Sequence, residues 1–228
     1  MDAGGMPSRT SVARFETWWR RTPMNVSARE LLRNGVKDKL ARDELVVSMT
    51  VKLVRTVEIA AIARTAGFDS LYIDVEHSSF SLDTTSQICM AALAVGVTPF
   101  VRVPSTAPDA ISRALDGGAL GIIAPHVQSP EDAARIVHLA KFAPLGDRSF
   151  TGSLPHFQFR SFPTTEMFEA LNDDLVVAAR LLPEVAGTAD GPGEAVRFVQ
   201  GFLAGSLTND SGRAQKLWKK VRETKPPQ

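Results

Sequence analysis

Short runs rich in β-branched residues alternate with helical segments along most of the chain, and this alternation constrains the fold more than any other feature. Residues 45–51 (LVVSMTV), 71–75 (LYIDV), 98–103 (TPFVRV), 120–124 (LGIIA) and 175–179 (LVVAA) have the length and composition of strands. Between them, 57–66, 82–95, 108–115 and 130–141 have helical composition. Their ends are punctuated. Ser81 and Ser129 stand where N-caps fall, Pro130 at a first helical position, and Gly67 and Gly96 just past C-termini. Upstream, Ser27-Ala28-Arg29-Glu30 is a capping box opening a first helix, with 37–42 as its polar continuation. Strands separated by helices of this length predict βαβ units and a parallel sheet. Near-continuous apolar strands such as LGIIA require cover on both faces.

An open doubly wound sheet and a closed barrel both satisfy this pattern. A dinucleotide-binding sheet carries a Gly-rich loop after its first strand, and residues 50–56 contain no glycine. Polar residues cluster instead after several successive strands: Asp74, Glu76 and His77, then Arg102, then His126 and Gln128. Active-site groups drawn from the carboxyl ends of many strands are the mark of a (β/α)8 TIM-type barrel, which is the fold expected. About five strands are recognisable, and the stretch from Leu45 to the end of the 228-residue chain is shorter than the ~250 residues such a barrel typically takes. The expected organisation is a leader or docking arm over 1–26, a partial β/α barrel over 27–179, and a diverged segment over 180–228. The change of character near Arg180 suggests a shifted reading frame, a retained intron or a splice variant.

A net charge of +1 gives no reason to expect nucleic acid or an acidic membrane surface as partner. The single cysteine, Cys89, allows no internal disulfide and suits a reducing, cytoplasmic compartment. No apolar run approaches the ~20 residues of a spanning helix. Arg9, Arg14, Arg20 and Arg21 near the N-terminus raise a mitochondrial transit peptide as an alternative, against which Asp2 and Glu16 count.

The strand-end residues carry the chemistry. In Ile73-Asp74-Val75-Glu76-His77-Ser78 a strand runs out into two carboxylates and an imidazole, a group that titrates near neutrality and serves as acid or base. Solvated loop acids beside a loop histidine would give the same string. Arg102 lies inside an apolar strand, where an unmatched guanidinium costs several kcal/mol. Its counter-charge is either a structural carboxylate, Asp74 or Asp116, or the carboxylate of a ligand. His126 and Gln128 add polar groups at a further strand end, although many such histidines only bond a loop carbonyl.

Five motifs occur in order: Ala66-Gly67-Phe68-Asp69, Ile73-Asp74-Val75-Glu76-His77-Ser78, Val101-Arg102-Val103-Pro104, Leu115-Asp116-Gly117-Gly118-Ala119 and Pro144-Leu145-Gly146-Asp147-Arg148-Ser149. Together they resemble the HpcH/HpaI family of metal-dependent 2-oxo-acid aldolases, and Pro125-His126-Val127-Gln128 leans towards its fungal, macrophomate synthase-type branch. The resemblance implies a phosphoenolpyruvate/pyruvate-type barrel, a homo-oligomer and a divalent metal, Mg²⁺ or Mn²⁺. It implies a lyase acting on a small 2-oxo acid such as pyruvate or oxaloacetate, by aldol cleavage or decarboxylation through a pyruvate enolate. Carried over, Arg102 binds the keto oxygen and the enolate, His77 is the general base with Asp116 as its partner, and Asp74 orients this end of the site. His126 and Gln128 line the substrate pocket. The family's metal-ligating glutamate falls on Leu182, with Glu184 as a substitute two residues on. A leucine offers Mg²⁺ no oxygen donor, so a catalytically inactive homologue serving as an interaction subunit is the alternative expectation.

Overall fold

The computed structural model describes residues 26–181. The leader, the segment after Leu181 and the positions Leu182 and Glu184 lie outside the described residues, as do the expectations placed on them. Five strands, β1 (Ser48–Val51), β2 (Ser70–Asp74), β3 (Thr98–Arg102), β4 (Gly121–Val127) and β5 (Val176–Leu181), form one sheet in that order. Every pair is parallel. An order without reversal means that each crossover steps the same way, which puts all the crossover helices on one face. That is the winding of a (β/α)8-type barrel, whereas a doubly wound sheet reverses once at a switch point.

The crossover helices are α3 (Glu58–Thr65), α4 (Leu82–Ala94), α5 (Pro108–Asp116) and α6 (Pro130–Ala140). Their inward residues, among them Ile59, Ala63, Ile88, Ile111, Leu115 and Ile136, pack against Leu71, Ile73, Val101, Ile122 and Ala124. The punctuation read from sequence is present. Ser81 accepts from the Thr84 N–H and Ser129 from the Asp132 N–H, while Gly67 and Gly96 take positive φ of 82° and 71°. Alternate strand residues point the other way, into the barrel interior, where Tyr72, Phe100, Ile123 and Ala178 form a separate cluster. Phe100 fits because β4 begins with glycine: a Cβ on Gly121 would lie 2.0 Å from the Phe100 ring.

The first helix is two. α1 (Ala28–Leu31) carries the Ser27–Glu30 capping box, and the chain breaks before α2 (Gly35–Ala41) at Asn34, whose side chain accepts from the Lys37 N–H. Asn34 is buried. It donates to the carbonyls of Leu120 and Asp174 and accepts from the Thr98 hydroxyl, so α2 is tied to the amino ends of the strands. Val36 and Leu40 of α2 close that end of the interior against Tyr72 and Phe100. The last helix among the described residues, α7 (Thr164–Asp174), follows a 3-10 turn at Pro155–Phe157 and packs Met167, Ala170 and Leu171 with Leu32, Phe142 and Phe157. Sequence reading passed over α7, although Met167, Ala170 and Leu171 repeat at helical spacing. β4 extends three residues beyond its expected end, through an irregularity between Ala124 and Val127.

Candidate active site at the carboxyl ends of the strands

β2 and β3 place Asp74 and Arg102 side by side in register, each the last residue of its strand and each on the interior face. Both are buried, at 1% and 6% exposure. Arg102 Nε donates to Asp74 Oδ1 at 2.9 Å and a terminal nitrogen, Nη2, to Oδ2 at 2.6 Å, a two-pronged pair. The guanidinium also stands over the Tyr72 ring, 5.5 Å from its centre. Burial pushes the Asp74 carboxyl upward, but the Arg102 fork, the His77 N–H and Lys52 outweigh it and hold the group below the ordinary carboxylate value. Of the two structural carboxylates left open by sequence, Asp74 is the one that pairs with Arg102.

Glu76 links the rest. Its Oε2 lies 3.0 Å from the remaining terminal nitrogen of Arg102, Nη1, and 3.6 Å from His77 Nε2, while Oε1 lies 2.9 Å from His126 Nε2. Oε2 is buried without a well-aligned hydrogen bond, so this carboxylate is held at Arg102 by charge more than by a directed bond. The two imidazoles are accessible, with side-chain exposures of 56% for His77 and 71% for His126. His77 is fixed through its backbone, whose N–H donates to Asp74 Oδ1 at 3.0 Å. His126 is turned towards Glu76 by the irregular end of β4, where it adopts a left-handed φ of 54°. Gln128 is exposed, and its backbone N–H donates to Asp132 at the start of α6.

Asp116 is not part of this cluster. It ends α5, at the amino edge of the sheet, and accepts from Arg148 Nη2 at 2.6 Å. The expected His77–Asp116 pair therefore does not form within the chain, because a helix following a strand carries its last residue back to the opposite end of the barrel. Glu76 is the carboxylate that meets His77. Two further residues were missed as site groups. Glu76 stands in the strand-end cluster read from sequence, but without an assigned role. Lys52, immediately after β1, brings Nζ within 3.5 Å of Asp74 Oδ2. The strand-end rule that selected Asp74 and Arg102 applies equally to Lys52.

No group of three or more His, Cys, Asp and Glu among the described residues is arranged to hold a metal ion. Asp74 and Glu76 are each committed to cations. The described residues thus do not fit a divalent metal by themselves, and the positions to which the resemblance assigns its ligand lie outside them. Cys89 is buried, and burial raises its thiol pKa far above the ordinary value, so it is no nucleophile. No helix among the described residues is long and apolar enough to cross a membrane.

Parallel strands in chain order, with a guanidinium, two carboxylates and two imidazoles gathered at their carboxyl ends, define a β/α-barrel protein of the strand-end-site class. The chain belongs to the HpcH/HpaI aldolase/citrate lyase family, whose model matches residues 53–181. It is 36% identical over 187 residues to the 4-hydroxy-4-methyl-2-oxoglutarate aldolase tasA of Hapsidospora irregularis, covering 79% of this chain and 68% of that one. It is 40% identical over 140 residues to the aldolase of the same name, cghB, of Chaetomium globosum, covering 61% and 52%. These are named aldolases, carbon–carbon lyases, and both are fungal, as the Pro125–Gln128 segment suggested. Among solved structures, the HpcH/HpaI aldolase of Desulfitobacterium hafniense superposes with a TM-score of 0.61 at 28% identity, covering 82% of this chain and 76% of that one.

Proposed function

We propose that this chain is a carbon–carbon lyase that cleaves a small 4-hydroxy-2-oxo acid to pyruvate and a second carbonyl compound. The observation that carries the reading is Arg102, a buried guanidinium at a strand end whose Nη1 faces the accessible imidazoles of His77 and His126 across Glu76. A fixed cation beside the keto oxygen stabilises the charge that gathers there as the C3–C4 bond breaks and the C2 oxygen becomes an enolate. His77 takes the proton of the C4 hydroxyl, C4 leaves as a carbonyl, and C3 is reprotonated to give pyruvate. Asp74 keeps the guanidinium in place and, through the His77 N–H, fixes the loop that carries the base. His126 and Gln128 face the departing carbonyl fragment. Oxaloacetate, which yields the same enolate on losing CO₂, is the companion substrate.

The resemblance also brings a requirement for Mg²⁺ or Mn²⁺, and no step is derived through the ion. The test is pyruvate release, coupled to lactate dehydrogenase, from 4-hydroxy-4-methyl-2-oxoglutarate and from oxaloacetate, with each ion and with a chelator. Release above the free-ion background by folded protein supports the lyase. Background rates under every condition overturn it, and release that survives the chelator overturns the metal requirement alone.

A further inference from the structure

His77 owes its position to the backbone of its loop. Its imidazole is more than half exposed, and its contact with Glu76 is a loose 3.6 Å. The loop, residues 75–81 between β2 and α4, is fastened at its start, where the Val75 N–H donates to the Arg102 carbonyl and the His77 N–H to Asp74. It is fastened at its end by Phe80, a buried core residue, and by Ser81, the cap of α4. Ser79 lies exposed between these points and is gripped from another loop. Arg55, on the turn between β1 and α3, donates from Nη1 to the Ser79 carbonyl at 3.2 Å and from Nη2 to the Ser79 hydroxyl at 2.6 Å. Its guanidinium stands over the Phe80 ring, 5.6 Å from the centre. A carbonyl, a hydroxyl and a ring are not counter-charges, so these contacts hold the loop rather than neutralise an acid.

Resting on the lyase reading for the role of His77, we infer that Arg55 is a positioning residue, which places the general base by clamping the loop two residues beyond it. Two donors on one residue and a flat ring beneath them define a single orientation of a planar fork, and a lysine has neither the second nitrogen nor the plane. A displacement of about 1 Å in a reacting group can cost about 100-fold in rate. The step that feels it is removal of the C4 hydroxyl proton, which carbon–carbon cleavage requires. Loss of CO₂ from oxaloacetate makes the same enolate with no hydroxyl proton to remove, so that reaction does not call on the base. Arg55 therefore serves cleavage and not decarboxylation.

Pyruvate release from 4-hydroxy-4-methyl-2-oxoglutarate and from oxaloacetate, compared in the full chain with Mg²⁺ present throughout, tests this. Arg55→Ala is expected to lower kcat at least tenfold for the hydroxy acid and less than twofold for oxaloacetate, with KM little changed for either. Arg55→Lys should share most of that loss, and Ser79→Ala, which keeps the carbonyl contact, should show the same split at smaller size. Amide hydrogen exchange over residues 75–81 should quicken in Arg55→Ala and stay as in the wild type in β2 and β3. Equal loss on both substrates, no loss on the hydroxy acid, full activity in Arg55→Lys or unchanged exchange over 75–81 overturns the inference. Exchange also separates it from the lyase reading. A wild type that releases pyruvate from neither acid removes the base and its placement, whereas quickened exchange in that case still leaves Arg55 as the clamp of the loop.

Discussion

Arg102 and Asp74 are tolerable in the interior chiefly because each faces the other, with Glu76 as a further counter-charge to Arg102 and Lys52 to Asp74. Removing one partner of a buried pair leaves the other charge uncompensated, at a cost of about 3–5 kcal/mol. Asp74→Asn is therefore expected to lower the unfolding free energy by that order, measured by urea titration at neutral pH. Arg102→Lys keeps the charge but loses the planar fork. A fold with unchanged circular dichroism and pyruvate release reduced about 100-fold or more is the expected outcome. His156 offers a pH test away from the site. Burial lowers its pKa to about 4, its Nε2 bonds the Ala119 carbonyl at 3.0 Å, and Arg148 nearby disfavours a second positive charge. The folded state thus resists a proton that the unfolded chain accepts below about 6.5. Stability from this group is complete above that value and falls as the pH drops towards 4, by about 3 kcal/mol in all. His156→Gln, measured by urea unfolding at pH 7 and pH 4.5, should show a shallower loss than the wild type. An equal slope would mean that other groups dominate acid unfolding.

Elements were legible where their ends carry chemistry of their own. Ser81, Ser129, Pro130, Gly67 and Gly96 fix helix limits through local hydrogen bonds and backbone conformation, and the helices begin and end within a residue or two of expectation. The break at Asn34 was not legible, because Asn34 caps α2 while its amide holds carbonyls far away in sequence. The first strand is shorter than its apolar run, since residues 45–47 lie before the register with β2 begins at Ser48 and Ser70. Gly121 is the point at which two strands depend on one hydrogen atom. Gly121→Ala would drive a methyl into the Phe100 ring. Overpacking of this kind typically costs about 1–3 kcal/mol. A lowered urea midpoint with unchanged m-value is expected, and Phe100→Leu in the same background should recover part of the loss.

At the scale of the molecule, the described sheet has β1 and β5 at its margins, and several large apolar side chains stand exposed near the β1 end, among them Leu45, Leu53, Val54 and Val57. Apolar groups gathered in that way mark association surfaces. The homo-oligomer implied by the resemblance is thus expected in solution, as a scattering mass on a sizing column several times the 24.6 kDa of one chain. A mass of one chain at micromolar concentration would refute it.

The sequence by itself determined the parallel β/α winding, the strand ends that carry polar groups and the family, because strand periodicity, helix punctuation and ordered motifs are local in the chain. It also singled out Asp74, His77 and Arg102 as one neighbourhood. Which carboxylate meets which cation was decided only in three dimensions. The register of β2 against β3 sets Asp74 beside Arg102, and the return of α5 takes Asp116 to the far end, where Arg148 claims it. Glu76 and Lys52 became visible as members of the site for the same reason. Ion pairing follows distance across the sheet, and neighbouring strands bring together residues that lie far apart along the chain.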